Sequence, residues 1–247
     1  MTELNTSATK RFDFSKIFPI LFQPQRTFTE IAAEARASWS TPMLVLSLTT
    51  ALTVIVSGFL QSRAAIGGEV ALPPDWQYWT PEMQNNFLQA QQTSQGAVVV
   101  YVMPLVSALI ALWLGWLILG GILHLGSTLF GGRGSMQSAL NVAGWANLPF
   151  GVLNILQVFF MLLAGHAIVS PGLSGFAGGS VFLSKILEQT DVFFIWNTIL
   201  LILGFGIADG LPRNKAVILV VAVVAILLLI SAGVGTMVAN IGGGFAS

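Results

Sequence analysis

Residues 215–241, KAVILVVAVVAILLLISAGVGTMVANI, open on one lysine and then run to their end without a charge. A bilayer core needs about 20 mostly apolar helical residues, and this stretch exceeds that length. Residues 42–60, PMLVLSLTTALTVIVSGFL, read the same way and also lack an internal charge. Three further apolar runs lie at 97–125, 139–165 and 191–208, the last of them short and opening on Asp191. The expected fold is an all-α polytopic membrane helix bundle of about five transmembrane helices.

Composition points the same way. Of 247 residues, 55% are hydrophobic and 8% charged, where a soluble domain carries about 25% charged. So few ions cannot cover a globular surface in water, and much of the exterior must face lipid. A formal net charge of zero removes the electrostatic case for a nucleic-acid partner. The absence of cysteine excludes disulfides, thiolate metal sites and cysteine nucleophiles. The first long apolar run starts near Pro42, too far along for a cleavable secretory signal, so none is expected to be removed.

Lysine and arginine set the expected orientation. Lys10, Arg11, Lys16, Arg26 and Arg36 precede the first span, Arg133 follows the second, and Arg213 and Lys215 follow the fourth. The other side holds only Arg63 and Lys185. Basic residues favour the cytoplasmic side, which puts the N-terminus inside and the C-terminus outside.

Residues 1–38 then form a cytoplasmic segment and 39–247 the transmembrane domain. Phe12, Phe14, Ile17, Phe18, Ile20, Leu21 and Phe22 mix with Arg11 and Lys16, as in a segment lying along headgroups. Pro24 opens a short amphipathic helix, with Phe28, Ile31, Ala32 and Ala35 on one face and Arg26, Glu30, Glu34 and Arg36 on the wetter one. Trp39 reads as an interface anchor, and Thr41 as a cap before Pro42. In the loop at 61–96, Trp76, Tyr78 and Trp79 precede a helix start at Thr80–Pro81 that carries Met83 and Phe87. The Gly- and Ser-rich stretch 166–189 ends in a short helix around 181–188.

Searches for chemistry return little. The two histidines, His124 and His166, have no HExxH, paired-His or His–carboxylate context, so neither a catalytic metal nor a cofactor is expected. No GxSxG occurs. Gly131-Gly132-Arg133-Gly134-Ser135 fails as a phosphate cradle, because no lysine follows and the GxGxxG pattern breaks at Gln137. It reads as a turn between two helices.

The third run carries Asn141, Asn147, Asn154 and Gln157 and is interrupted by Pro149. Spacing places Asn147 and Asn154 on one face, with Gln157 beside Asn154. Such a face could line a solute path, or it could hold interhelical hydrogen bonds around a kink. Asp191 is expected to cap the fourth helix. Ser231, Gly235, Ala239 and Gly243 form a small-residue stripe on the fifth span, and Gly206 and Gly210 a shorter one on the fourth. Either admits a close helix, from this chain or from a second copy in a homo-oligomer.

Taken in order, these pieces resemble the Yip family, named for interaction with Ypt/Rab GTPases. The matching residues begin with Phe22-x-Pro24, Phe28, Ile31 and Trp39-x-x-Pro42. They continue with His124, then Leu129-Phe130-Gly131-Gly132-x-Gly134-Ser135, then Gly144-Trp145-Ala146-x-Leu148-Pro149, and end with Asp191 and Phe193-x-x-Trp196. The resemblance implies a non-enzymatic scaffold or adaptor, acting through membrane organisation or a protein partner at its cytoplasmic face. Eukaryotic members are implicated in vesicle traffic between endoplasmic reticulum and Golgi. The short N-terminal region and long external loop are more similar to prokaryotic members, which implies a prokaryotic plasma membrane. The alternative is a small transporter or channel, or a subunit of one, using the polar face of the third span.

Overall fold

The computed structural model describes residues 12–34, 36–67, 75–168 and 170–243. Expectations that rest on Lys10, Arg11 and Ala35 lie outside the described residues. All regular structure among those described is helical. A 3-10 turn at Phe14–Lys16 leads into α1 (Ile17–Phe22) and α2 (Pro24–Ala33). Then come α3 (Ser40–Gly67), α4 (Pro81–Ser94) and a π-helical turn, Val98–Val102, that runs into α5 (Met103–Leu129). The remainder is α6 (Met136–Ala146), α7 (Leu148–Ala164), α8 (Val181–Gln189), α9 (Val192–Ala208) and α10 (Arg213–Gly243).

Four runs are long and apolar enough to cross a bilayer: Ser40–Ala64, Val98–Leu129, Met136–Ala164 and Arg213–Asn240. A fifth apolar helix, α9, has 17 residues, at the lower end of the about 17–25 that cross a bilayer, and together with α8, from which it is bent by 60°, it makes a fifth candidate span. The bend falls at Asp191, whose carboxylate accepts the Phe194 N–H at 2.8 Å and starts a new helix instead of continuing the old one. The helix of the first span runs on past residue 60 to Gly67, and in that extension Arg63 lies over the Phe59 ring at 5.6 Å.

Thr41 does not cap its own helix. α3 already begins at Ser40, with the Trp39 carbonyl accepting from Met43 at 3.1 Å. The Thr41 hydroxyl instead accepts the Asp13 N–H at 2.9 Å, tying the N-terminal segment to the start of the span.

The described residues fall into two compact units, one drawn from 1–46, 114–150 and 170–247, the other from 47–113 and 151–169. In the first, α2 and α6 pack on α9, and α10 packs on α8 and α9. Its core holds Phe28, Leu123, Val142, Trp145, Leu201 and Phe205. The amphipathic reading of α2 holds for Phe28 and Ile31, which are buried, while Ala32 is exposed. Gly204 lets α6 and α2 approach α9 closely: a Cβ there would overlap Val142 Cγ1 of α6 and stand 3.1 Å from the Phe28 ring. α1 buries Ile20 and exposes Phe18 and Phe22 in line with Phe14, so the segment docks by one face and shows phenyl rings on the other.

In the second unit, Asn154 donates to the hydroxyls of Thr49 (3.3 Å) and Thr50 (3.2 Å), holding α7 to α3. Leu60, Val158 and Met161 form its small core. Tyr101 lies over Gly58, where a Cβ would meet its ring at 2.9 Å. Trp76, Trp79 and Phe87 pack with ring centroids 5.5–5.6 Å apart, and Tyr78 remains exposed.

None of the most apolar stretch of Val98–Leu129 is buried, and Ile110, Leu114, Leu117 and Ile118 face outward. Such a surface costs about 25 cal/mol per Å² in water and nothing comparable in hydrocarbon. The architecture is an all-α, polytopic membrane helix bundle.

Candidate functional site

Polar side chains at and near the ends of the first unit's spans gather into four clusters, three of them held by backbone groups as much as by side chains. The first fixes residues 36–39. Asn141 of α6 accepts the N–H groups of Ser38 (2.8 Å) and Trp39 (3.1 Å) and donates to the Arg36 carbonyl at 3.1 Å. One amide thus satisfies three backbone groups of an irregular stretch that would otherwise be stranded near the bilayer. The buried Trp145 donates its indole N–H to Ser38 Oγ at 3.0 Å. Trp39 is less an exposed anchor than a packed side chain, half-buried against Trp116 at 4.9 Å between centroids.

The second cluster surrounds the buried Lys16, whose ammonium pairs with Glu34 and lies 3.6 Å from Asp13. Arg36 Nε reaches the same Glu34 carboxylate at 3.2 Å. Burial alone would raise the Glu34 pKa, but hydrogen bonds from Lys16 and Arg36 outweigh it and hold the carboxyl below its usual value. Asp13 is likewise lowered, chiefly by the hydrogen bond from Ser15.

The third cluster was not visible in the sequence and is the tightest. Asp209 follows the last residue of α9 and is 3% exposed. Its carboxylate takes a hydrogen bond from Ser127 of α5, and its carbonyl accepts the Arg133 N–H at 3.0 Å. Gly132 N–H closes onto the Ser127 carbonyl at 2.8 Å, with Gly131 at φ 90°, which favours glycine. Gly134 lies against the carboxylate itself, where a Cβ would fall 2.5 Å from Asp209 Cγ. Lys215 adds a bond to the Phe130 carbonyl at 2.9 Å. The glycine-rich turn is therefore wrapped around an acid. Asp209 Oδ1 and His124 Nδ1 are buried without a hydrogen-bond partner among the described residues, while Arg133 is exposed.

Burial pushes the Asp209 carboxyl above its ordinary value of 3.8, against the pull of the Ser127 hydrogen bond and of charge on His124. The folded protein then holds a proton that the unfolded chain has lost, so stability falls as pH rises from about 4 to the folded pKa and is flat beyond it. Asp209→Asn removes that dependence, and its amide oxygen can still accept from Ser127. The expected result is a gain in thermal midpoint over the wild type that opens as pH rises from about 4. A gap that stays constant with pH, or closes as pH rises, would refute the assignment.

The fourth cluster sits at the break between α6 and α7. Asn197 of α9 donates to Asn147 Oδ1 at 2.8 Å and to the Ala146 carbonyl at 2.9 Å. Pro149 ends the regular ladder, and Phe150 N–H bonds Asn147 O at 3.0 Å, so the Ala146 carbonyl is met from α9 instead. The helix expected to carry Asn147 and Asn154 on one face is interrupted at Asn147. Asn147 turns to α9, Asn154 bonds α3, and Gln157 is half-buried.

Trp196 is half-buried against the core, stacked on Phe193 at 6.4 Å. In the α10 stripe, Ser231 Oγ accepts from Gln189 Nε2 at 3.1 Å, and a Cβ at Gly235 would stand 3.2 Å from Lys185 Cδ. These two positions receive α8 of the same chain. Ala239 lines a groove with residues 174–185, and Gly243 ends α10. His166 bonds its ring to the Ala167 carbonyl at 2.9 Å. Among the described residues no three His, Cys, Asp or Glu side chains gather as a metal site would require.

Asp209, Ser127 and Asn197 escaped the sequence reading. Each carries one faint signal, a lone polar residue inside or abutting an apolar run, which inside hydrocarbon demands a partner.

The family model of the Yip1 domain matches residues 18–234. That family is one of non-enzymatic membrane proteins. No curated protein sequence and no solved structure matches the chain. The matched segment takes in α2, the wrapped Gly131–Ser135 turn, the break at Asn147 and nearly all of α10, and the chain belongs to the Yip1-domain family of integral membrane proteins.

Proposed function

We propose that this protein is a non-enzymatic membrane scaffold or adaptor that binds a protein partner at its cytoplasmic face. Residues 10–38 and the turn at 126–138 form the contact surface, and 39–247 form the membrane domain. In this reading the N-terminus is inside and the C-terminus outside, in a plasma membrane. The observation that carries it is the wrapped turn, where Asp209 and Ser127 hold Gly131–Ser135 in one shape while Arg133 is exposed. A rigid turn presenting a cation is suited to recognition, and His124, Gly131 and Gly132 serve it as supports. The solute-path reading loses its support because Asn147 and Asn154 spend their amides inside the protein.

A photo-crosslinking side chain at Phe18 or Ser135, both exposed, is expected to capture the same protein in membranes. Arg133→Glu should reduce that yield about tenfold, the loss of one charge-assisted hydrogen bond. Capture of no protein, or a yield unchanged by Arg133→Glu, refutes the adaptor reading. Point substitution is the cleaner test than deleting the segment, because deletion would also strip Phe28 and Ile31 from the core.

A further inference from the structure

Gly206 looks in sequence like a helix-packing position, but in the structure no helix abuts it. A Cβ there would meet only the Leu211 carbonyl oxygen, at 3.8 Å. The missing side chain opens a groove of about 380 Å³ instead, within the range of small-molecule sites. Its apolar wall is Ile202, Leu203 and Ile207 from the end of α9, with Leu211 beyond. Its polar wall is Gln25 and Thr29 of α2 and Arg213 at the start of α10.

The two walls differ in a useful order. The aliphatic side chains belong to the last turns of α9, the apolar arm of the bent α8–α9 pair, and Arg213 lies just past its end. Arg213 is exposed and pairs with no carboxylate among the described residues. The neighbouring acid cannot neutralise it: Asp209 is buried against Ser127, and Glu30 is engaged by Arg26 at 3.0 Å. Lys215 leans to the Phe130 carbonyl. The groove thus grades from hydrocarbon to an uncompensated guanidinium over the depth at which a phospholipid grades from acyl chain to phosphate.

We propose that this groove binds an anionic phospholipid, with its phosphate on Arg213 and one acyl chain along Ile202, Leu203 and Ile207. Guanidinium is the side chain best matched to phosphate oxygens, in a fork of parallel N–H bonds. Gln25 supplies an amide to the headgroup. The site stands apart from the protein-partner surface at Arg133 and needs no such partner to be tested.

The test is lipid retention by the full chain reconstituted in nanodiscs of phosphatidylcholine with phosphatidylglycerol, then extracted and analysed by mass spectrometry. The wild type is expected to retain phosphatidylglycerol above its share of the mixture. Arg213→Gln should lower that enrichment about tenfold, the loss of a charge-assisted hydrogen bond, with partial recovery in Arg213→Lys. Gly206→Leu should lower it as much while keeping the charge, because its side chain enters the groove from a position where a Cβ meets only the Leu211 carbonyl oxygen, at 3.8 Å. Unchanged thermal midpoints in pure phosphatidylcholine certify both variants as folded. Equal enrichment in wild type, Arg213→Gln and Gly206→Leu overturns the proposal. So does a thermal shift of equal size from inorganic phosphate in phosphatidylcholine nanodiscs, which would make the site one for a free anion.

Discussion

Asn141→Ala is expected to make the backbone amides of Ser38 and Trp39 exchange with solvent about a hundredfold faster, read by hydrogen-exchange mass spectrometry on peptides covering 36–41. The reason is that both N–H groups end on a single oxygen, Asn141 Oδ1, and the Arg36 carbonyl ends on the same side chain's nitrogen. Each intramolecular bond contributes about 1 kcal/mol net, and a buried donor left without an acceptor costs about 1–3 kcal/mol. Alanine removes all three bonds together and introduces no replacement. A total near 3 kcal/mol corresponds to about two decades in the opening equilibrium that exchange reports. Trp145 should remain packed, since its indole bonds Ser38 Oγ and not Asn141. The protection of α9 amides should stay as in the wild type, which separates local release from global unfolding. Unaltered exchange at Ser38 and Trp39 would mean that some other group carries the tether.

The all-α membrane bundle was legible because its signal is bulk composition, and a run such as Ala216–Ile230 is suited to hydrocarbon. The breaks were harder. Pro149 announces a disturbance, yet the helix parts at Asn147, because a proline disrupts the turn before it. Asp191 was legible as a cap, but not that α8 would lean at 60° to α9, since bend angle depends on packing that no local residue encodes. Asp209 shows the limit most clearly. In the sequence it is one carboxylate in a polar linker, Ala208-Asp209-Gly210-Leu211-Pro212, where exposure is the ordinary expectation. Its burial follows from Ser127 and Gly134, distant in sequence and ordinary in type. Amphipathic patterning gave α2's buried Phe28 and Ile31 correctly and could not say whether lipid or α9 covers them.

The broken spans and the polar clusters are two sides of one constraint. A helix that stops inside hydrocarbon exposes carbonyls that water cannot reach, so each break must be met by a side chain from another element. Asn197 does this for the break at Asn147, and Asn141 serves the irregular residues 36–39 just before the first span in a similar way. Asn141 and Asn147, two of the amides of the third apolar run, are committed in this way, while Asn154 ties α7 to α3 through Thr49 and Thr50.

Asn197→Leu is therefore expected to destabilise the protein more than Asn147→Ala, although the two residues share a bond. Asn197 Nδ2 serves two acceptors, Asn147 Oδ1 at 2.8 Å and the Ala146 carbonyl at 2.9 Å. Leucine leaves both without a donor in an apolar setting, at a cost of about 2–4 kcal/mol for two unsatisfied groups. Interhelical hydrogen bonds in membranes average about 0.6 kcal/mol and reach about 1.7, so the carbonyl penalty and not the bond itself supplies most of the loss. Asn147→Ala removes one acceptor and leaves the Asn197–Ala146 bond standing, at about 1 kcal/mol. Equilibrium unfolding in mixed micelles should place the variants in that order, and a double-mutant cycle should give a coupling of about 0.5–1.5 kcal/mol. Equal losses, or a larger loss for Asn147→Ala, would show that the Ala146 carbonyl is satisfied elsewhere and that the break does not depend on α9.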